Sequence, residues 1–347
     1  MSVGSEPESA RADQLPPDAA ESGPSEPPKR GSGRLGLFLK LAITLGVSAY
    51  VLWQAGLADA LRTLAGADWR WVALGGTSAL VAMTINVKRW QVMLAGQGGG
   101  ASLGTLIRLY LIAMFFNNIL PSRFGGDVVR AYGASINVTT RTRSAAAVIM
   151  DRLVGAISVL LLGVIAIVVN PTVIPWQIAS VLVVGLIVGV AVVGLLLVKT
   201  PWQGAERKVL GIFGRLPVVG KRLSGKLEAA VDAVRAYSGA PGLILWALLI
   251  SMVANGLSIV NIYLYAVAVG ADVKLSEAAV VAPVVLAVGL LPISINGIGT
   301  IEGTFVVLLG LMGVGADVAL AVALLRRLVL LAQSLVGGVL YSARRFG

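Results

Sequence analysis

Six stretches of this chain are apolar over about 20 residues or more, the length that an α-helix needs to cross the hydrocarbon core of a bilayer. They cover residues 35–57, 71–95, 144–169, 176–198, 243–269 and 316–342. Only 13% of the residues are charged and the mean hydropathy is +0.87, so a soluble globular fold would leave too much apolar surface uncovered. These stretches predict an all-α integral membrane protein with about six full spans.

Two further apolar segments are short and end in irregular, polar sequence. Residues 103–119 end at Asn117-Asn118, just before Leu120-Pro121, and residues 278–291 end at Leu291-Pro292. Irregular backbone within a membrane must be packed inside protein or line a wet cavity, because lipid offers no hydrogen bonds. Both segments are therefore predicted to be re-entrant, broken helices.

The segments outside the spans suggest the domain organisation. Residues 1–34, largely acidic and proline-rich with no apolar signal sequence, are predicted to be a disordered cytoplasmic tail. Residues 35–343 are predicted to form a single polytopic membrane domain, whose basic segment 199–241 is amphipathic and lies on the cytoplasmic membrane surface. Lysines and arginines flanking the spans place both termini on the cytoplasmic side of the cell membrane. The net charge of +11 is therefore attributed to anionic lipid and not to nucleic acid.

The composition also restricts the chemistry. The chain has no cysteine and no histidine, which excludes disulfides, zinc sites built from these residues and imidazole acid–base catalysis. Clustered acidic motifs of the kind that bind divalent metals are absent from the sequence. We therefore expect no cofactor, no metal and no catalytic residue, so that recognition depends on the remaining charged groups and amides.

The two broken helices suggest an internal repeat. Leu120-Pro121 followed by glycines recurs as Leu291-Pro292 followed by glycines, and residues 147–154 resemble residues 323–329. Three predicted crossings separate the copies, which would invert the second relative to the first. Inverted repeats with broken helices that meet near the membrane midplane are typical of transporters. Short aliphatic matches also arise by chance, so this prediction depends mainly on the two Leu-Pro breaks.

The first break is followed by the first group of candidate substrate-binding residues, which are Asn117, Asn118, Arg123, Gly125, Gly126, Asp127 and Arg130. The glycines and Asp127 predict the start of a helix that is capped by the aspartate. Helix N-termini attract phosphate, and the two flanking arginines could clamp it. The alternative is a cytoplasmic turn in which Arg130 simply contacts lipid headgroups.

The second group of candidates comprises Asp151, Arg152, Asn296, Gly297, Gly299, Glu302 and Arg327. Charges well inside a span cost roughly 2.5–3.5 kcal/mol each at the helix centre, so we expect them to face a cavity. The alternative for Arg152 is that its side chain extends to the membrane interface. Arg327 is predicted to pair with Glu302, and the alternative is that these charges only neutralise each other within the packing.

Other polar residues in the spans are given structural roles. Asn255 and Asn261 are expected to form hydrogen bonds between helices. Asn86, Lys88 and Arg89 end the second span and are interpreted as its anchor at the membrane surface.

Three motifs combine most of the candidate residues, and they are Asn118-x-x-Pro121-x-x-x-Gly125-Gly126-Asp127-x-x-Arg130, Asp151-Arg152 with Gly155, and Pro292-x-x-x-x-Gly297-x-Gly299-x-x-Glu302. Together they resemble the lysylphosphatidylglycerol synthase transmembrane-region family of flippase-like membrane proteins, over about residues 35–343. The resemblance implies a domain that moves an aminoacylated phospholipid between leaflets. In the best-known relatives this domain is fused to a cytosolic aminoacyltransferase. Because the present chain ends at Gly347, we expect it to lack that domain and its synthase activity.

The predicted function is therefore translocation of a phospholipid or a polyprenyl-phosphate-linked intermediate across the cytoplasmic membrane. Its partners would be anionic or phosphate-bearing lipids, with the arginines neutralising phosphate, the carboxylates orienting the arginines and the asparagines donating hydrogen bonds. Two alternatives stay open. One is a secondary transporter of a small solute or ion, and the other is a membrane enzyme acting on lipid phosphates with a metal at Asp127, Asp151 or Glu302.

Overall fold

A computed structural model describes residues 31–120, 125–137, 139–171, 175–197, 235–291 and 293–343, together with residue 232. Every regular element in these residues is helical, which confirms the all-α prediction. The helices are α1 (Gly31–Ala55), α2 (Leu57–Ala65), α3 (Trp69–Gly96), α4 (Leu103–Ile119), α5 (Gly125–Asn137), α6 (Arg141–Val169), α7 (Trp176–Leu197), α8 (Pro241–Ala268), α9 (Leu275–Leu290), α10 (Thr300–Leu311) and α11 (Ala316–Ala343), with a 3₁₀ turn at Ile295–Gly297. The first 30 residues of the predicted tail and most of the predicted surface segment 199–241 lie outside the described residues.

The six predicted spans correspond to the long helices α1, α3, α6, α7, α8 and α11. Among the described residues, four of them (α1, α6, α8 and α11) contain stretches long and apolar enough to cross a membrane. Helix α3 contains the charged residues Arg70, Lys88 and Arg89. The apolar stretch of α7 is shorter than those of the four helices. The protein is thus a multi-pass membrane protein, while the number and orientation of the crossings stay predictions.

The two predicted helix breaks occur where the Leu-Pro pairs stand. Helix α4 has 17 residues and α9 has 16, and each is followed by a leucine in extended conformation, Leu120 (φ −79°, ψ 135°) and Leu291 (φ −75°, ψ 133°). A residue before proline is driven out of the helical region by the proline ring, so the sequence itself ends each helix here. Pro121 and Pro292 lie outside the described residues.

The connection between the first two predicted spans is partly helical, because the chain forms α2 there. Leucine, alanine and arginine are strong helix formers, and Asp59 in the first turn favours the positive end of the helix dipole. Ala60 is fully buried against the neighbouring core, so one face of this short helix is packed. Tertiary packing has turned a charge-balanced connection into a helix.

Two buried clusters of apolar side chains form the core of the bundle. One lies between α3, α4, α6 and the start of α8, and the other lies between α1, α2, α8, α9, α10 and α11. Helix α8 packs along α3, and Asn261 Nδ2 donates to the Gly75 carbonyl at 2.7 Å between them. Asn255 Nδ2 donates to Ser158 Oγ on α6 at 2.9 Å. These contacts confirm the predicted interhelical role of both asparagines.

Helix α11 crosses α4 so closely that Gly337 has no room for a side chain. A Cβ atom there would lie 1.9 Å from the Leu111 carbonyl oxygen, which belongs to the backbone and cannot rotate away. Small residues allow this kind of close helix contact in membranes.

We expect Gly337→Ala to lower the free energy of unfolding by about 1–3 kcal/mol, because the added methyl group must push the two backbones apart. The matched control is Gly256→Ala in the middle of α8, where an added Cβ meets nothing within 4 Å. Denaturation of the detergent-purified variants would measure both effects. Equal stability of the two variants would contradict the proposed close crossing.

Candidate functional site

The two helix breaks meet in space. Asn296, in the 3₁₀ turn after the second break, donates from Nδ2 to Asn118 Oδ1 at the end of α4, at 2.5 Å. Asn296 has a positive φ of 50°, a conformation that asparagine tolerates better than most residues. The neighbouring Asn117 Oδ1 accepts the Gly126 N–H at 2.8 Å, which ties the end of α4 to the start of α5.

This contact changes the predicted capping of α5. The helix does begin at Gly125, but the side chain that accepts its Gly126 N–H comes from Asn117 and not from Asp127. The Asp127 carboxylate instead accepts hydrogen bonds from arginines. One of the N–H groups that were expected to attract phosphate is therefore already occupied, and Arg123 lies outside the described residues.

Glu302 and Arg327 form the predicted ion pair. Arg327 Nε donates to Glu302 Oε1, and the second carboxylate oxygen accepts the Gly299 N–H at 2.8 Å. Gly299 has φ 81°, and a Cβ on it would lie 2.7 Å from Ser48 Oγ, so both conformation and space require glycine. The Arg327 guanidinium also lies 3.5 Å from the Gly297 carbonyl oxygen. The turn after the second break thus positions Glu302, and Glu302 positions Arg327.

A polar cavity of about 290 Å³ opens between these residues. Its polar lining consists of Asn117, Asn118, Asn296, Glu302, Arg326 and Arg327. Both arginines come from α11, and Glu302 is the single carboxylate among the described residues of this lining, so these residues give the wall a net positive charge. Such a wall favours an anionic ligand.

The remaining charged candidates form a separate network at the start of α5 and in α6. Arg130 bridges two carboxylates, with 2.8 Å to Asp127 Oδ1 and 3.2 Å to Asp151 Oδ2. Arg152 donates to Asp127 from Nε and Nη2, at 2.8–3.1 Å. Arg89 Nε donates to Asp151 Oδ1 at 2.7 Å. Three arginines thus compensate two aspartates.

Arg130 is buried within this network. It is 3% exposed, and its guanidinium lies 5.1 Å from the centre of the Trp90 ring and 5.2 Å from that of Tyr110. Its guanidinium faces two carboxylates and two aromatic rings, and its role in binding phosphate stays a prediction. Arg152, with a side chain 47% exposed, is the accessible cation of the network.

Arg89 is one site residue that sequence reasoning missed, and Arg326 in the cavity wall is another. The span-anchor interpretation is wrong for Arg89, since it is 7% exposed and pairs with Asp151 and, through Nη1 at 2.6 Å, with Ser251 Oγ. Lys88 instead contacts Gln91 on the exposed side. Helical periodicity could have indicated that Arg89 points inward. Arg89 lies four residues before the fully buried Met93 and therefore shares its face of α3.

The candidate charges, several of which were expected to face a cavity, form two separate clusters in the structure. Asn117, Asn118, Asn296, Glu302 and Arg327 line the cavity, and Gly297 and Gly299 form the turn behind it. Asp127, Arg130, Asp151 and Arg152 pack against one another beside it, with Gly125 and Gly126 at the start of α5. Among the described residues there is no group of three or more acidic side chains placed to hold a metal ion.

The two clusters repeat one arrangement. In each, an acidic residue in the first turn of the helix after a break pairs with an arginine 25 residues later, Asp127 with Arg152 and Glu302 with Arg327. An equal spacing at two independent ion pairs favours the predicted internal repeat. Whether the copies are inverted across a membrane stays a prediction.

A large apolar groove lies on the opposite side of α10 from the polar cavity. It measures about 900 Å³ and is lined by side chains of α1, α6, α7, α9 and α10. In the first turns of α10, Ile301 and Glu302 line the cavity whereas Thr300 and Gly303 line the groove, and Leu290 borders both. A polar and an apolar compartment therefore adjoin at the second helix break.

Comparison with known proteins agrees with this membrane fold. A family model described as "Lysylphosphatidylglycerol synthase TM region" matches residues 37–337. The chain belongs to this family. Two "UPF0104 membrane proteins" of Methanothermobacter thermautotrophicus are similar to it, one 25% identical over 300 residues (83% of this chain, 88% of the relative) and one 23% identical over 326 residues (86% and 90%).

A UPF0104 membrane protein of Pyrococcus horikoshii is 30% identical over 132 residues, which cover 36% of this member of the lysylphosphatidylglycerol synthase transmembrane-region family and 39% of the relative. No solved structure matches the chain. The family membership confirms the resemblance seen in the sequence motifs.

The buried network makes Asp151 a strong determinant of stability. We expect Asp151→Asn to lower the free energy of unfolding by about 3–5 kcal/mol, because Arg89 and Arg130 would keep buried charges without their shared carboxylate. Denaturant unfolding in detergent would measure the loss.

The matched control is Asp59→Asn, which breaks the exposed Asp59–Arg62 pair of α2 (2.9 Å) and should cost about 0–1 kcal/mol. A loss for Asp151→Asn no larger than that of the control would show that the network does not stabilise the fold.

Proposed function

We propose that this protein moves a phosphate-bearing membrane lipid, either a phospholipid or a polyprenyl-phosphate-linked intermediate, between the leaflets of the cell membrane. The headgroup occupies the polar cavity at the meeting point of the two helix breaks, and the apolar chains occupy the groove behind α10. The observation that carries this proposal is the contact between the two compartments at Leu290 and the first turn of α10.

The charges in the cavity support an anionic headgroup. Arg327 is held by Glu302 and keeps part of its side chain exposed (23%), whereas the carboxylate is largely covered (8%). Arg326 adds a second guanidinium to the same wall. Arginine donors in a partly dehydrated cavity bind phosphate oxygens through strong, charge-assisted hydrogen bonds.

The groove supports a lipid rather than a small solute. A site for a small polar molecule has no use for an adjoining apolar compartment of about 900 Å³, which is near the upper end of typical ligand-pocket volumes. In this arrangement the headgroup crosses in the polar compartment while the chains stay in apolar surroundings. Without the polar compartment, moving the charged headgroup through hydrocarbon would cost several kcal/mol of free energy.

The direct test is lipid movement in proteoliposomes. Acyl-NBD phosphatidylglycerol, acyl-NBD phosphatidylethanolamine and an NBD-labelled polyprenyl phosphate serve as probes, and dithionite reduces only the probe in the outer leaflet. The proposal predicts that the protein increases the reducible fraction of at least one phosphate-bearing probe over that in protein-free liposomes. No increase for any of the three would overturn it.

Arg327→Gln should slow lipid movement about tenfold or more, since a hydrogen bond to a charged group contributes about 1.5–3 kcal/mol. The matched control is Arg70→Gln, which removes the same charge from an exposed position at the start of α3. The dithionite assay compares the two variants at equal protein content. Movement at the wild-type rate in Arg327→Gln would remove this residue from the mechanism.

Val307→Trp should also slow lipid movement, because the new ring would fill part of the groove next to α10. The matched control is Val253→Trp on α8, which is similarly exposed (57% against 58%) but lines none of the three described cavities. A solute-flux assay with the same two variants would distinguish lipid movement from transport of a small solute. Unchanged lipid movement in Val307→Trp would mean that the chains do not use the groove.

A further inference from the structure

A second polar cavity, of about 170 Å³, lies next to the first one. Arg326, Met114 and Leu330 line both cavities, so the Arg326 side chain stands in the wall between them. The other polar residues of the second cavity are Asn86, Tyr110, Ser258, Asn261, Tyr265 and Gln333. None of them was selected as a candidate from the sequence.

Two buried polar groups in this cavity lack partners. Gln333 is 6% exposed, and its Nε2 donor has no hydrogen-bond partner among the residues that the structure describes. The fully buried Tyr265 hydroxyl also has none, although the Asn261 amide beside it donates to the Gly75 carbonyl. A buried donor without a partner costs about 1–3 kcal/mol, so such groups call for a ligand that can accept hydrogen bonds.

Arg326 adds a positive charge without an ion-pair partner in the described part of the chain to the second cavity. It forms no hydrogen bond or ion pair with any residue in the described part of the chain, in contrast to the adjacent Arg327. The 25-residue pairs relate Arg327 to Arg152, which makes Arg326 the counterpart of Asp151. Where the first cluster has a carboxylate that neutralises Arg89 and Arg130, the second has another cation.

We propose that this second cavity is an oxyanion site, in which Arg326, Gln333 and Tyr265 bind the phosphate group of a lipid headgroup or free phosphate. All three side chains offer donors, which fits an acceptor-rich ligand. The cavity volume of about 170 Å³ is well above the roughly 30 Å³ that one water molecule takes up in the liquid, so a tetrahedral oxyanion has room. The choice of phosphate rests on the proposed function, whereas the anion site itself does not.

Isothermal titration calorimetry on the full chain in neutral detergent tests this site. The probes are sodium phosphate at constant ionic strength and dihexanoyl phosphatidic acid, and the variants are Arg326→Gln and Gln333→Met. We expect saturable binding of at least one probe to the wild type, about tenfold or more weaker binding to Arg326→Gln, and weaker binding to Gln333→Met. Arg70→Gln should bind like the wild type.

A melting measurement distinguishes a binding role of Gln333 from a structural one. Because its Nε2 donor has no partner among the described residues, Gln333→Met should not lower the melting temperature without ligand, but should reduce the increase that phosphate causes. A lower melting temperature together with unchanged phosphate binding would overturn the proposal. So would the lack of saturable binding of either probe to the wild type.

The binding assay and the lipid-movement assay can reject the second site and the proposed function separately. Binding of only sodium phosphate would assign the site to a free anion, and binding of only the short-chain lipid would assign it to a headgroup. Normal lipid movement without phosphate binding would reject the second site and leave the proposed function standing. Phosphate binding without movement of any lipid probe would keep the site and reject the proposed function.

Discussion

Charged side chains cannot face hydrocarbon without a large free-energy cost, and this constraint organises the interior of the protein. Each of two arginines, Arg152 and Arg327, is held by a carboxylate from the first turn of a helix that starts after a break. The breaks are therefore more than interruptions of the bundle. Each break places an acidic residue next to an arginine of a long helix, and this pairing lowers the free-energy cost of the charges.

The two clusters differ in how completely their arginines are paired with carboxylates. Around Asp127 and Asp151 three arginines pair with two aspartates, and Arg130 also lies against two aromatic rings, so this network resembles a structural support. Around Glu302 the one carboxylate pairs with Arg327, and the adjacent Arg326 lines the same open volume without an ion pair to a described residue. An excess of donors and positive charge next to empty polar space is what an anion-binding site requires, whereas a fully paired network has little capacity left for a ligand.

The site residues that sequence reasoning found were those in local motifs. The Leu-Pro breaks and the helix start at Gly125 were readable because backbone restrictions act on neighbouring residues. The Glu302–Arg327 pair was readable because a charge inside a span needs a partner. Arg89 was misassigned because a lysine and an arginine at a span end usually indicate an interface, and only the packing of α3 against α6 and α8 turns one of them inward.

The sequence by itself determined that the chain is a helical membrane protein, where its long helices lie and where two shorter helices end at Leu-Pro pairs, because these properties follow from hydropathy and backbone restrictions along the chain. Only the tertiary structure decided which charges share a cavity, since partners such as Asn118 and Asn296 lie 178 residues apart. It also placed Arg326 between two cavities and left the Nε2 donor of Gln333 without a partner in the described part of the chain. Helix rotation and crossing, which depend on many apolar contacts at once, set those positions.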